Sequence, residues 1–294
     1  MGRPATTSSS APRTSTRSTV GGGDDRICAL GGNDTVNGGL GNDRIDGGSG
    51  NDTIHGDVST ATGNASGGGN DRLFGGEGND NIAGDSIAFD GNASGGGRDF
   101  IDGGPGIDNL SGDSISVTGD ATGAGDDIIR GGPGPNGLWG DSGAARNAHG
   151  SGGNDQLDLG PDGGFALGDH NIFDPQGGRA TGAGKDRITG GSAPDALVGE
   201  SSVVDASQTF AESDVLMGRG GDDVLFGDNA DFNLATSVGA AGGNDRLFGE
   251  TGDDTLKAGS ANDILNGGQQ TDDCDGEAGN RDVAVQCETV NGVP

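Results

Sequence analysis

Two nine-residue segments follow one another without a break near the start of the chain. Both have the pattern Gly-Gly-x-Gly-x-Asp-x-aliphatic-x: residues 38–46 contain Asp43 and Ile45, and residues 47–55 contain Asp52 and Ile54. The glycines predict a turn, the aspartate supplies an anionic oxygen in that turn, and the aliphatic residue marks a strand of about three residues. A chain made of such units is predicted to form a repetitive solenoid.

The nine-residue register continues towards the N-terminus, and a longer register replaces it towards the C-terminus. Backward steps of nine from Asp43 reach Asp34 and Asp25, each followed two residues later by an aliphatic side chain. Beyond Asp52 the equivalent aspartates are 28 residues apart, with two stretches of 31. We expect a unit made of two nonapeptides, a Gly-Asp step and a Ser/Ala/Gly/Asn-rich excursion, such as residues 86–97, that tolerates insertions.

Two aspartate series and one aliphatic series recur through the units. The aspartates at the sixth nonapeptide position are Asp25, Asp34, Asp43, Asp52, Asp71, Asp80, Asp99, Asp108, Asp127, Asp155, Asp186, Asp195, Asp214, Asp223, Asp245, Asp254 and Asp263. The Gly-Asp steps contain Asp57, Asp85, Asp113, Asp141, Asp169 and Asp228. The aliphatic residues beyond the first two units are Leu73, Ile82, Ile101, Leu110, Ile129, Leu157, Ile188, Leu197, Leu216, Leu225, Leu247, Leu256 and Leu265. Asn136 and Gly164 replace the aspartate in two turns, where we predict no metal.

The nonapeptide pattern resembles the haemolysin-type (RTX, repeats-in-toxin) calcium-binding proteins over roughly residues 20–268. The resemblance implies an all-β fold, a parallel β-roll or β-helix solenoid with about 28 residues per coil. It also implies that each sixth-position aspartate shares calcium with the loop stacked beside it, so that the chain binds several Ca²⁺ ions. The Gly-Asp series lies outside the motif, and for these residues a ligand role and an Asx-type turn or cap remain equally open.

Composition limits the other classes of protein and ligand. The 67 glycines and 3% aromatic residues exclude an ordinary packed core, and no apolar run reaches the length of a membrane span. With 46 acidic and 16 basic residues the net charge is −30, which disfavours nucleic acid and anionic membranes as partners. Calcium takes 6–8 oxygen ligands in flexible geometry, whereas magnesium needs a tighter octahedron and zinc prefers nitrogen and sulfur.

Three regions are predicted. Residues 1–19 contain no acidic residue and no secretory apolar segment, and we predict that they form a disordered Ser/Thr/Arg tail. Residues 20–268 are predicted to form the solenoid, and residues 269–294 a C-terminal cap. Within the cap, Cys274 and Cys287 are predicted to form a disulfide, the alternative being two unpaired thiols, and Cys28 is predicted to have no partner.

Nothing in the sequence indicates an active site. It contains neither H-E-x-x-H nor G-x-S-x-G, and His55, His149 and His170 are isolated residues that we assign to variable surface positions. We therefore predict a non-enzymatic, calcium-stabilised extracellular structural or adhesive protein that folds on binding calcium. The alternative is a secretion or folding module of a larger toxin or secreted enzyme whose catalytic part lies outside this chain.

The spacing also predicts which loops stack. From Asp25 to Asp52, loops 18 residues apart should lie on the same edge. From Asp43 onward one 28-residue unit should form one full coil, so that Asp71, Asp99 and Asp127 form one ladder and Asp80 and Asp108 another. Leu73, Ile101 and Ile129 should then point inward in one row, and Ile82 and Leu110 in a second.

Overall fold

The computed structural model describes residues 8–10, 15, 17–174, 178–203, 211–231, 233–239 and 242–293. These residues form a parallel β-solenoid made of strands and turns, which confirms the predicted fold class. Within the described part of the chain, no helix is long and apolar enough to span a membrane.

Two long sheets follow the solenoid axis, and each receives one strand from every coil. The strands of the first long sheet are Ser8–Ser10, Arg26–Cys28, Arg44–Ser49, Arg72–Glu77, Phe100–Asp102, Ile128–Arg130, Gln156–Asp158, Arg187–Thr189, Val215–Gly220, Arg246–Thr251, Ile264–Gln269 and Val283–Val285. Those of the second long sheet are Arg17–Thr19, Thr35–Asn37, Thr53–His55, Asn81–Ala83, Asn109–Ser111, Asn136–Trp139, Gly164–Leu167, Asp195–Val198, Val224–Phe226, Thr255–Lys257, Asp273–Asp275 and Thr289–Asn291.

The middle coils contain two further sheets, built from strands of two residues. The third sheet contains Ser59–Thr60, Ile87–Ala88, Ile115–Ser116, Gly143–Ala144, Asn171–Ile172, Ser202–Val203 and Ala230–Asp231. The fourth contains Ala65–Ser66, Ala93–Ser94, Ala121–Thr122, Ala148–His149 and Ala180–Thr181. The excursion that the sequence places on the return path is therefore an ordered pair of strands with its own parallel pairing.

The register confirms that one 28-residue unit is one coil. In the first long sheet Leu73 pairs with Ile101 and Ile101 with Ile129, and in the second Ile82 pairs with Leu110. Both ends of the solenoid use shorter coils of 18 residues, in which Ile27 pairs with Ile45 and Leu247 with Leu265. Among the described residues, the solenoid thus has two-stranded coils at its ends and coils of three or four strands in its middle.

The hydrophobic core is divided between the sheets. The aliphatic residues of both long sheets meet in one continuous core, which includes Leu73, Ile82, Ile101 and Leu110, all at most 1% exposed. Between the third and fourth sheets the buried residues are mostly alanines, which allow these sheets to approach closely. This arrangement confirms the two predicted inward rows and adds a second, thinner core.

Strands extend into both predicted terminal regions. Ser8–Ser10 pairs with Arg26–Cys28, and Arg17–Thr19 pairs with Thr35–Asn37, so these six residues differ from the predicted disordered tail. Residues 1–7, 11–14 and 16 lie outside the described residues. At the other end both long sheets continue past residue 268, because the backbone ladder of each sheet offers unpaired groups to the next segment.

A disulfide joins Cys274 to Cys287, as predicted, and Cys28 has a free thiol. Cys274 is fully buried and pairs with Leu256 in the second long sheet, so it takes the position of an aliphatic core residue. The bond therefore attaches the last loop directly to the end of the core.

Candidate metal centre

Aspartates from successive coils form a ladder at the turn that enters the first long sheet. The backbone N–H of Asp43 donates to Oδ1 of Asp71, and that of Asp71 donates to Oδ1 of Asp99, each with an N···O distance of 2.6 Å. We call this row the first carboxylate ladder; it consists of Asp25, Asp43, Asp71, Asp99, Asp127, Asp155, Asp186, Asp214, Asp245, Asp263 and Asp282. One oxygen of each carboxylate thus ties its coil to the preceding one.

A second carboxylate ladder lies at the turn between the two long sheets. The backbone N–H of Asp52 donates to Oδ1 of Asp80 with an N···O distance of 2.7 Å, and that of Asp80 donates to Oδ1 of Asp108 with a distance of 2.8 Å. The ladder consists of Asp34, Asp52, Asp80, Asp108, Asp195, Asp223, Asp254 and Asp272. The predicted stacking of Asp25 with Asp43, Asp34 with Asp52, and the 28-residue pairs is confirmed.

The other carboxylate oxygen is buried without a hydrogen-bond partner at most of these positions. In the first ladder this holds for Oδ2 of Asp43, Asp71, Asp99, Asp127, Asp155, Asp186, Asp214, Asp245, Asp263 and Asp282, and in the second for Oδ2 of Asp52, Asp80, Asp108, Asp223, Asp254 and Asp272. A backbone carbonyl lies near most of these oxygens: for example, a β-carbon on Gly103 would overlap both Oδ2 of Asp108 and the carbonyl of Gly131. Buried acceptors that no donor reaches need a proton or a cation beside them.

Asn136 provides an internal comparison, because it replaces the aspartate that follows Asp108 in the second ladder. Its Oδ1 still accepts the backbone N–H of Asp108 over 2.9 Å. Its Nδ2, in the place of the unpartnered oxygen, donates to the carbonyls of Gly132 and Leu159, each over 3.0 Å. An amide thus satisfies the surrounding carbonyls with its own protons, whereas an ionised carboxylate in the same place lacks them.

A family model for the RTX calcium-binding nonapeptide repeat matches residues 19–54, 65–86, 94–114, 121–144, 180–202, 209–231, 240–274 and 248–281, which together cover more than half of the chain. The chain belongs to this RTX repeat family. A comparison with curated proteins finds no match. As in the family motif, the aspartates of the two ladders other than Asp282 stand at the sixth nonapeptide position.

The RTX ladders fit calcium by the chemistry of their donors. Every unpartnered group is an oxygen, and backbone carbonyls lie beside the carboxylates, which is the mixed oxygen set that calcium accepts. The pKa of Asp71 is raised to about 8 and that of Asp80 to about 7, chiefly because burial removes water from the carboxylates. A bound divalent cation would favour the charged form and remove this penalty.

A third row of carboxylates follows the second long sheet at the Gly-Asp steps. This inner carboxylate column consists of Asp57, Asp85, Asp113, Asp141, Asp169, Glu200 and Asp228, all of which are buried. No N–H group donates to either carboxylate oxygen of Asp57, Asp113 or Asp169, and the hydrogen-bonding neighbours of these oxygens are other carboxyl groups of the column. In contrast, the Asp228 carboxylate accepts the backbone N–H groups of Gly243 and Ser260.

Three residues of these carboxylate rows were not predicted from the sequence. Asp272 and Asp282 extend the two ladders by accepting the backbone N–H groups of Asp254 and Asp263, each over 3.0 Å. Asp272 follows Asp263 by nine residues and was detectable by one more step of the register. Glu200 takes the next place in the inner column after Asp169, where a search for Gly-Asp alone passes over Gly199-Glu200.

The histidines differ from the sequence prediction. His55 and His170 are buried, and only His149 keeps a partly exposed position. The ring of His55 contacts Asn37 Oδ1 at 2.6 Å, and burial lowers its pKa to about 4, so it is neutral at pH 7. His55 is buried at the corner between the second and third sheets, and His170 is buried against the fourth sheet, where its Nε2 contacts the carbonyl oxygen of Thr181 at 3.2 Å. The sequence revealed neither position. The placement of surface residues was therefore wrong at these two positions.

Proposed function

We propose that calcium binds along both carboxylate ladders of this RTX repeat protein and that binding drives the folding of the solenoid. The observation that carries the proposal is the contrast between Asp108 and Asn136. The Asn136 amide donates to two carbonyls, and the Asp108 carboxylate, at the same place one coil earlier, leaves Oδ2 unpartnered. Asp34, Asp195 and the other ladder aspartates are the ligands in this account; the turns at Asn136 and Gly164 bind no metal.

Coupling to folding follows from the small core of each coil. The four-stranded coil that begins at Arg72, for example, buries Leu73 and Ile82 in the main core and otherwise mainly alanines. The same coil orders about 28 residues, many of them glycine, whose backbone entropy opposes folding strongly. Stacked carboxylates also repel one another. A cation that bridges coils cancels the charge and adds its binding free energy to the stability of the folded state.

The proposed setting is extracellular, and the proposed role is structural or adhesive. Extracellular calcium modules bind with dissociation constants of about 10⁻⁴–10⁻³ M, which suits sites formed by flexible turns. The Cys274–Cys287 disulfide is consistent with an oxidising compartment. Buried carboxylates recur on every coil, which favours a repeated structural role over a single tuned acid–base pair in an enzyme.

Calorimetric titration of the metal-free chain, with native mass spectrometry of the product, tests the binding part of this proposal. We expect several calcium ions per chain and much weaker binding of magnesium. Asp99→Asn should lower the number of bound ions, whereas Asp24→Asn, at an exposed turn residue whose carboxylate accepts from Asn42, should not. A chain that binds no calcium, or binds magnesium equally well, would refute the proposal.

A further inference from the structure

The inner carboxylate column faces the first ladder but not the second. Carboxylate oxygens of Asp57, Asp71 and Asp85 all lie within 4.8 Å of one another, and all three residues are buried. Negative charge on Asp57 and Asp71 contributes to raising the pKa of Asp85 to about 9, after the larger effect of burial. The neighbouring charges that raise the pKa of Asp80, in the second ladder, are Asp108 and Asp52, both members of that ladder.

No N–H group of the protein reaches most of these oxygens, so a shared proton or a bound cation must lie between them. No N–H group donates to either oxygen of Asp57 or to Oδ2 of Asp71 or Asp85, and the carboxyl groups of Asp57 and Asp85 can hydrogen-bond to each other only when one of them carries a proton. Oδ1 of Asp71 accepts from Asp43, and Oδ1 of Asp85 accepts the backbone N–H of Gly69 over 3.2 Å. The remaining oxygens therefore converge on one another inside the solenoid, away from solvent.

From this convergence we infer that Asp57, Asp71 and Asp85 form a separate, enclosed calcium site at the start of the inner column. This inference rests on the proposed calcium-binding function and adds carboxylates from outside the nonapeptide. Asp99 and Asp113 follow one coil later, but among the described residues only Asp57, Asp71 and Asp85 bring carboxylate oxygens within 4.8 Å of one another. Since an additional carboxylate and a more rigid site both strengthen calcium binding, the enclosed site should fill before the second ladder.

Matched Asp→Asn variants distinguish the enclosed site from the second ladder. Asp57→Asn and Asp85→Asn change the enclosed site, and Asp80→Asn makes the same change in the second ladder. With limiting calcium, native mass spectrometry should show that Asp57→Asn or Asp85→Asn removes an early-binding ion, whereas Asp80→Asn removes only a late one. Terbium lifetimes in H₂O and D₂O should give fewer bound water molecules for the early sites than for the late ones.

The competing explanation is that the inner carboxylates share protons. In that case Asp57→Asn and Asp85→Asn would both keep the full number of bound calcium ions, and this result would overturn the inference. Asp57 is the first residue of the column and has a column neighbour on one side only, so Asp57→Asn should disturb the fold less than Asp85→Asn. It provides the measurement if Asp85→Asn does not fold. Failure of the underlying function gives a different result, since the unsubstituted chain would then bind no calcium at all.

A second inference comes from the outer corner between the second and third sheets. A groove of about 500 Å³ there is lined by four aromatic residues, Phe89, Trp139, Phe165 and Phe173, and by the amides of Asn81, Asn109 and Asn171. Trp139 is 8% exposed, and its Nε1–H has no hydrogen-bond partner among the described residues. Because this Nε1–H is buried, what the groove offers a ligand is the aromatic faces and the asparagine amides.

The lining of this groove contains no Asp, Glu, Lys or Arg, and His55 is neutral because its pKa is lowered to about 4. In a chain of net charge −30, an anionic ligand would be repelled and a cationic one would find no counter-charge in the groove. Aromatic faces pack against the C–H faces of sugar rings, and asparagine amides both donate to and accept from hydroxyls. We propose that this groove binds a neutral oligosaccharide.

Trp139 is the single tryptophan of the chain, so its fluorescence reports on the groove directly. The full chain in millimolar calcium is titrated with neutral hexasaccharides of glucose, mannose and galactose. At least one of these hexasaccharides should give a saturable change in Trp139 emission. Phe173→Ala or Asn109→Ala should weaken the binding of that sugar about tenfold, as expected for one lost contact. Phe74→Ala, on the first long sheet, is the aromatic control and should bind as the unsubstituted chain does.

Two results would overturn this second proposal. One is the absence of saturable binding to any of the sugars, or binding that Phe173→Ala and Asn109→Ala leave unchanged. The other combines two measurements: protection of Trp139 from acrylamide quenching that increases with protein concentration, and dimers in sedimentation. Together they would show that a second copy of the chain occupies the groove.

Discussion

The backbone N–H of Asp71 donates a 2.6 Å hydrogen bond to Oδ1 of Asp99, a residue 28 positions later in the chain. The same carboxylate leaves Oδ2 buried and unpartnered. One side chain therefore has two separable parts, an acceptor that joins two coils and a negative oxygen that needs a cation. The other ladder bonds repeat this division.

Substitutions at Asp99 should separate the two parts. Asp99→Asn keeps the acceptor and places a donor where Asn136 has one, so it should stabilise the metal-free chain but reduce the stabilisation by calcium. Asp99→Ala removes both parts and should destabilise the calcium-bound chain by about 1–3 kcal/mol. Urea unfolding with calcium at pH 7.5, and with chelator at pH 5, where the metal-free chain is expected to be more stable, measures both effects. Equal behaviour of the two variants would contradict this division.

The glycine that precedes each carboxylate of the inner column is predicted to be required by space. A β-carbon on Gly84 would overlap the carbonyl of Gly112 and Oδ2 of Asp99, whereas one on Gly21 would meet no atom within 4 Å. Gly84→Ala should therefore destabilise the calcium-bound chain by about 1–3 kcal/mol or more, and Gly21→Ala should be nearly neutral. Thermal unfolding of the two variants side by side provides the measurement, and similar melting temperatures would contradict the packing described.

The metal-free chain should lose stability as the pH rises. Burial raises the pKa of Asp43 to about 6, of Asp71 to about 8 and of Asp245 to about 9, compared with about 3.9 for an exposed aspartate. Since the folded state holds more protons than the unfolded state, these groups contribute stability below pH 4, and it is lost as the pH rises through 6 to 9.

Denaturant unfolding of chelated and desalted protein between pH 4 and pH 9 tests this prediction. The chain should be most stable at the acidic end, and added calcium should restore stability at the alkaline end. A metal-free chain that is equally stable at pH 4 and pH 8 would show that the carboxylates are not buried as described.

The Cys274–Cys287 bond should stabilise the last coils more than the first. It closes a loop of 13 residues, and its loss should cost about 3 kcal/mol or less by chain entropy. Hydrogen exchange of Cys287→Ser should show faster exchange in Asp273–Asp275 and Val283–Val285, with Arg44–Ser49 unchanged. Cys28→Ser, which removes the free thiol, is the control. Uniform loss of protection along the chain would contradict a local cap.

The coil length was predictable from the sequence, because Asp43, Asp71 and Asp99 keep a constant spacing that only same-edge stacking requires. The third and fourth sheets were not predicted, since strands such as Ser59–Thr60 and Ala65–Ser66 are too short for alternation to be visible. A weak signal was present, because Ala65, Ala93 and Ala121 also recur every 28 residues.

Side-chain burial at the sheet corners was also beyond the sequence. His55 stands in the same column of the second long sheet as Ala83 and Trp139, and this column faces away from the main core. Alternation along one strand therefore predicts an exposed residue. Only the position of the third sheet, which depends on contacts between strands of different sheets, makes the column buried.

Circular dichroism and small-angle X-ray scattering of the same sample, during a calcium titration at pH 7.5, test the central claim most directly. In excess chelator the chain should be expanded and low in β signal. Millimolar calcium should compact it and raise the β signal in one cooperative step, and equal magnesium should do much less. A compact, β-rich chain in chelator that calcium leaves unchanged would contradict calcium-coupled folding.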